Sequence, residues 1–199
     1  SMLGTLLAGG YYSPANISAP SKLQEHIFRR FEPDLVVTSA QYSEGLEVYI
    51  NKDSIIEVEN VSPEELSESK SSHEIAYVIF TSGSTGEPKG VSIGRDGLNN
   101  YISWSTDAMR VTHQDRWSQH PNIAFDLSVL DIYGALCAGA TLYPISNSRD
   151  RLMPAEAIKN NKLTIWNSVP SVIDLMQRAN QMTKEHLSSL RLMTFCGEP

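Results

Sequence analysis

The run Thr81-Ser82-Gly83-Ser84-Thr85-Gly86-Glu87-Pro88-Lys89-Gly90 carries the most explicit chemistry in this 199-residue sequence. Gly83, Gly86 and Gly90 allow the backbone to approach a ligand closely and to take positive φ angles. Thr81, Ser82, Ser84 and Thr85 add hydroxyls. Successive backbone N–H groups can form a concavity that holds an anion, and Lys89 adds a compact cation suited to phosphate. The run follows Tyr77-Val78-Ile79-Phe80, so it leaves the end of a buried strand. These parts together suit a polyphosphate. The nucleotide-binding pattern Gly-x-x-x-x-Gly-Lys-Ser/Thr is a rival. It fails, because Gly90 follows Lys89 and no Gly-Lys-Ser/Thr occurs in the chain. A plain Ser/Gly turn is the bland alternative.

A second group starts at Phe125-Asp126-Leu127-Ser128. An Asp that opens an apolar helix is either a helix cap or a carboxylate for a ligand cation, since a buried cation needs a charged partner. Leu127 and Leu130 lie one and four residues further on and can share a helix face with Asp126. Thr194 and Cys196 alternate along an extended run and point to one face. Ser171 follows Val169-Pro170. Each of these, taken singly, reads equally as core. His120 could border the same pocket or be an ordinary core or surface histidine. Trp104, Trp117 and Trp166 read as core rather than as stacking platforms. His73, His113 and His186 have no metal-ligand spacing, and the order of residues contains no Ser-His-Asp arrangement.

The elements that must position these groups alternate. Helical spacing runs from Lys22 to Phe31, and Leu35 to Thr38 is a short strand. Asn60 to Glu74 is acidic and Ser-rich and reads as a solvated loop. Ile75 to Thr81 is a strong strand, Val91 to Ile93 is extended and Arg95 to Met109 is helical. Leu127 to Cys137 is an amphipathic helix. Ala140 to Ile145, Leu163 to Val169 and Leu190 to Phe195 are strands. Met153 to Asn160 and Pro170 to about Ala179 are helices between them. Strands separated by helices predict an α/β fold with helices packed on a mostly parallel sheet. No repeat or domain-separating linker is evident.

Composition narrows the class. A net charge of −7, from 16 basic and 23 acidic residues, is unlike a nucleic-acid surface. With 41% hydrophobic residues and no long biased tract, the chain is neither disordered nor fibrous. Cys137 and Cys196 are far apart, which argues against a disulfide framework and for a reducing compartment. The apolar runs are too short to cross a membrane. Leu3 to Gly10 lacks the basic leader and cleavage site of a signal peptide. The expected location is cytoplasmic, with no nucleic-acid or membrane partner.

The ten-residue run at Thr81 resembles the phosphate-loop signature of adenylate-forming enzymes, a family that includes amino-acid adenylation domains of peptide synthetases, acyl-CoA synthetases and luciferases. Leu7-Ala8-Gly9-Gly10-Tyr11-Tyr12-Ser13-Pro14 is similar to an upstream family segment. Phe125-Asp126-Leu127-Ser128 resembles the family's Phe-Asp-x-Ser signature. The order and spacing of all three agree along essentially the whole chain. The resemblance implies ATP and Mg²⁺, with Thr81, Ser82, Gly83, Ser84, Thr85, Gly86 and Lys89 at the phosphates. It implies attack of a carboxylate on the α-phosphate, and transfer of the acyl group to a thiol.

In amino-acid-activating members the residue matching Asp126 pairs with the substrate ammonium. Leu127, Leu130, Ser171, Thr194 and Cys196 would line the substrate pocket, and Gly197 and Glu198 would lie at the adenine edge. Those residues imply a small, uncharged side chain. Phe125 to Val129, Asp131-Ile132-Tyr133 and Phe195 to Glu198 are similar to D-alanine-activating ligases. A peptide synthetase adenylation domain is the equal alternative. Either reading implies a phosphopantetheinyl carrier protein as partner. An acyl-CoA synthetase for another acid and a catalytically dead binding module stay open.

The resemblance also marks absences. The family's later adenine and Mg²⁺ segment, its ribose Asp and the Lys of its small mobile C-terminal domain do not occur here. No catalytic residue and no metal ligand is therefore assigned. The ending Leu192 to Pro199, an apolar strand-like run followed by Gly197-Glu198-Pro199, reads as the start of a turn rather than as a natural terminus. The expectation is part of the large N-terminal domain, without the C-terminal remainder, and inactive alone.

Overall fold

The computed structural model describes residues 1–61, 73–81 and 88–197. The chain divides into two compact units, residues 1–98 and 99–199.

The first unit begins with α1 (Met2–Leu7) and α2 (Ser21–Phe31). β1 (Val36–Thr38) pairs in parallel with β2 (Ile55–Glu57). β3 (Ile75–Thr81) pairs antiparallel with β4 (Lys89–Gly94). This hairpin departs from the expected parallel pattern, and its reason is local. Only a short segment separates the two strands, whereas a parallel partner needs a crossover of a dozen or more residues. Ala76, Tyr77, Val78 and Ile79 are consecutive and all buried, so β3 is covered on both faces, as its unbroken apolar run requires. Tyr12 forms a parallel bridge to Tyr77 and accepts from the Val78 N–H at 2.9 Å. The Arg95 guanidinium donates to the Leu6, Gly10 and His73 carbonyls. These bonds hold the Gly9-Gly10-Tyr11 segment against the strand. Residues 62–72, most of the expected acidic loop, lie outside the described residues.

α3 (Arg95–Ala108) carries the chain into the second unit. There β5 (Arg116–Gln119), β6 (Thr141–Pro144), β7 (Ile165–Ser168) and β8 (Leu192–Phe195) form a parallel sheet of order β6-β5-β7-β8. α4 (Leu127–Cys137) links β5 to β6. α5 (Ser148–Leu152) and α6 (Ala155–Asn160) link β6 to β7, and α7 (Pro170–Arg178) and α8 (Lys184–Leu187) link β7 to β8. Side chains alternate along each strand, and two cores result. Trp117 and Ile165 pack with Leu130, Ala135 and Ala140 beside α4. Trp166 packs with Ala155, Ile158, Val172 and Met176 of α6 and α7. The sheet is thus clad on both sides, the layering expected of parallel strands.

Two local features fix this arrangement. α4 ends in a paired motif in which Ala140 N–H donates to Ala135 and Gly139 N–H to Leu136, with Gly139 at φ +68°. Glycine takes that left-handed conformation without strain. Asp115 ties the strand starts together, accepting from Thr112, Thr164 and Arg191. Trp117 and Trp166 are fully buried, as expected, but Trp104 is 68% exposed on α3, which corrects its reading as core.

Candidate active site

A parallel sheet binds ligands outside the carboxyl ends of its strands, where the chain order reverses. In the second unit the order β6-β5-β7-β8 reverses between β5 and β7. β5 leads through His120 to Asp126, β7 leads to Ser171 and β8 leads to Cys196 and Gly197. The topology alone therefore brings most of the expected pocket residues to one end of one sheet.

Asp126 occupies the N-cap position of α4, yet its side chain makes no capping hydrogen bond. It is exposed, and among the described residues it has no ion-pair partner. The bonds at this helix start come from Ser128, whose hydroxyl donates to the Phe125 carbonyl at 2.7 Å. The capping reading of Asp126 thus lacks its defining bond.

Asp126 lies near two titratable neighbours. Burial pushes the Cys196 thiol above its ordinary range, and Asp126 and Asp131 push it further. Burial, then Cys196, raises the Tyr101 phenol; a bond to Ser105 opposes this, and Asp126 and Asp131 add to it. The Asp126 carboxylate would favour a ligand cation there.

The remaining expected residues divide. Leu127 is half-buried at the helix start, and Ser171, Cys196 and Gly197 are exposed. Leu130 is 5% exposed and packs in the core with Trp117 and Ile165, so it turns inward while Asp126 faces out. Thr194 is half-buried and donates to Asn167 Oδ1 at 3.1 Å. Glu198 lies outside the described residues. His120 is buried. It accepts from the Trp166 indole N–H through Nδ1 at 3.1 Å, so Nε2 carries the proton and donates to the Arg151 carbonyl at 2.8 Å. Burial lowers its pKa, in keeping with this neutral tautomer.

Two residues to which the sequence assigned no role of their own stand under the site. Asp131 is fully buried on α4. It accepts from Trp117 Nε1 at 3.1 Å, from Asn167 Nδ2 at 3.0 Å and from His120 N–H at 3.2 Å. Burial pushes its carboxyl up to about 8, against these three donors. The available signal was a lone acid within the apolar run Val129-Leu130-Asp131-Ile132, since an acid is almost never fully buried unless paired. Asn167, on β7, had no comparable signal.

In the first unit, Thr81 and Lys89 face each other at the open end of the β3–β4 hairpin. Ser82, Gly83, Ser84, Thr85 and Gly86 lie outside the described residues. A groove of about 600 Å³ in this unit is lined by His26, Arg30, Phe80, Pro88, Lys89 and Ser92, among others. His26 Nε2 lies 3.1 Å from the Pro88 carbonyl, which ties α2 to the return of the hairpin. Among the described residues, no three His, Cys, Asp or Glu side chains converge to hold a metal ion.

The whole chain, residues 1–199, matches the AMP-binding enzyme family. The chain belongs to that family. It is 39% identical over 127 residues to an L-proline–[L-prolyl-carrier protein] ligase of Streptomyces coelicolor, a match that covers 63% of this chain and 24% of that protein. It is 30% identical over 205 residues to a D-alanine–D-alanyl carrier protein ligase of Bacillus licheniformis, with coverage of 100% and 40%. Among solved structures it is similar to the Vibrio cholerae adenylation domain AlmE in complex with glycyl-adenosine-5'-phosphate. That likeness has a TM-score of 0.86 and 29% identity and covers 100% of this chain and 43% of the other. The chain therefore spans less than half the length of these curated relatives. The expected α/β architecture of adenylate-forming enzymes is the one found.

Proposed function

We propose that the protein carrying this chain activates a small amino acid with ATP and passes it to a carrier-protein thiol. A carboxylate oxygen of the amino acid attacks the α-phosphorus, the bond to pyrophosphate breaks, and an aminoacyl-adenylate forms. The thiol sulfur then attacks the acyl carbon and AMP leaves. The observation that carries this reading is Asp126, a carboxylate with no capping bond at the reversal point of a parallel sheet. A substrate ammonium supplies the missing charge. The family match and the amino-acid–carrier protein ligases among the relatives support the same chemistry.

In this proposal Asp126, Leu127, Ser171, Thr194 and Cys196 form the substrate wall, with Leu130 behind it, and Gly197 and Glu198 border the adenine. Thr81 to Gly86 and Lys89 hold the ATP phosphates, Mg²⁺ accompanies the nucleotide, and the acceptor thiol is phosphopantetheinyl. The 199 residues are part of the large N-terminal domain, and the setting is cytoplasmic. No helix among the described residues is long and apolar enough to cross a membrane.

The test is ATP–pyrophosphate exchange by the whole protein across a panel of amino acids. Exchange that depends on a small, uncharged amino acid is expected. Exchange driven only by fatty or aryl acids, or none at all, overturns the reading. Lys89→Ala should raise the KM for ATP about tenfold or more, the worth of a lost charge-assisted hydrogen bond, and leave the KM for the amino acid nearly unchanged.

A further inference from the structure

The hydrogen bonds under the site have a direction, and Asp131 sets it. The Trp117 indole N–H and the His120 backbone N–H can only donate, so each Asp131 oxygen accepts a bond whatever the carboxyl's charge. Trp117 Nε1–H and Asn167 Nδ2–H both reach Asp131 Oδ1, and His120 N–H reaches Oδ2. This fixes the Asn167 amide, because the flipped amide would set its oxygen against Asp131 Oδ1 and against the Leu127 carbonyl, to which Nδ2–H also donates at 3.4 Å. Asn167 Oδ1 therefore faces Thr194, and the Thr194 hydroxyl must donate to it, at 3.1 Å. The Thr194 proton is thereby committed inward. What Thr194 can offer outward is its oxygen lone pairs and its methyl group. Asn167 and Asp131 are each 1% exposed or less, so solvent does not compete for this chain of bonds.

We propose that Asp131 is a positioning residue that, through Asn167, makes the pocket wall at Thr194 an acceptor without a donor. The proposal rests on the reading of this unit as the amino-acid pocket. Together with Asp126 it yields walls that accept hydrogen bonds. Such walls admit an apolar or donor-bearing side chain and penalise one that offers only acceptors, whose lone pairs would meet lone pairs. Asp131 touches no substrate in this account; it acts by orienting the groups that do.

The test is a double-mutant cycle on the whole protein, read as the KM and kcat of pyrophosphate exchange with the best amino acid. Asp131→Asn can present its amide to Asn167 either way, so that the longer bond to the Leu127 carbonyl is left to orient Asn167 and the direction is weakened. Thr194→Val keeps the shape and loses the hydroxyl. Each should raise the KM for the amino acid about five- to tenfold, the scale of one hydrogen bond, with the KM for ATP unchanged. The double variant should be no worse than the weaker single variant, because both break one chain of bonds. Effects that multiply, or an equal rise in both KM values, would overturn the proposal. Should Asp131→Asn fail to fold, Thr194→Ser is compared with Thr194→Val. The serine retains the donor and should restore the wild-type KM, and equal KM values for the two would overturn the proposal. Asp126→Ala serves as control. If it leaves exchange intact, the amino-acid pocket itself is wrong; if it abolishes exchange while the cycle is additive, only the role of Asp131 fails.

Discussion

Asp131 shows how one residue can couple the fold to pH. Its native carboxyl titrates near 8, against an ordinary value of 3.8, chiefly because burial disfavours the charged form. Between those values the folded chain binds a proton that the unfolded chain releases, so stability falls as pH rises. His120 acts with the opposite sign. Burial lowers its pKa from 6.5, so below that value protonation favours the unfolded chain, and stability rises with pH there. The clear window for Asp131 is therefore pH 6.5 to 8. Urea denaturation should show stability declining across it by up to about 1.4 kcal/mol per pH unit. The slope should vanish in Asp131→Asn. A wild-type protein with flat stability over that window would show that the three donors hold Asp131 ionised. Asp115 carries the reverse charge effect. Its bonds to Arg191 hold its carboxyl well below the usual range, so its contribution is present above about pH 4 and is lost as pH falls through the folded value. Arg191→Ala should cost about 3 kcal/mol in denaturant titrations, because it leaves the 4% exposed Asp115 without its cation.

Helix α4 is the element on which the site depends, and its packing is tight at one residue. A Cβ added to Gly134 would lie 2.8 Å from the Trp117 ring, closer than real contacts allow. Gly134→Ala should therefore destabilise the protein by about 1–3 kcal/mol despite alanine's better helix propensity, as a lowered thermal midpoint would show. A midpoint equal to or above that of the wild type would mean that the indole moves aside. The ends of α4 were legible in the sequence, Leu127 to Cys137, but its expected amphipathic character was not borne out: Ser128 to Ala135 are all buried, so the helix is covered on every side. The strand that α4 packs on was not legible. Arg116-Trp117-Ser118-Gln119 has no β-branched residue and no alternation of apolar and polar side chains, and burial of its polar groups comes from the tertiary fold. α5 and α8 were also missed, since four- and five-residue helices carry too few residues for a period. Their signals were the caps, Asn147 accepting from Asp150 N–H and Thr183 from His186 N–H.

Across the whole chain, legibility followed physical type. The phosphate-loop run and Phe125-Asp126-Leu127-Ser128 are dense local signals, and they led to the family that the comparisons show. Thr194 lies on β8 as expected, whereas Cys196 falls just past the strand's end at Phe195. Asn167 and the direction of its bonds were not legible, because they depend on partners 36 and 27 residues away in sequence. The parallel sheet followed from alternation of strands and helices, whereas the β3–β4 hairpin followed from segment length, which outweighed that pattern. The central claim is that Asp126 holds a substrate ammonium. Amino-acid-dependent ATP–pyrophosphate exchange by the whole protein, wild type against Asp126→Ala, tests it most directly. A fall in kcat/KM for the amino acid of about 100-fold or more is expected, since the substrate ammonium loses its counter-charge, with the KM for ATP little changed. Exchange by Asp126→Ala within a few-fold of the wild type, on the same amino acid, would contradict it.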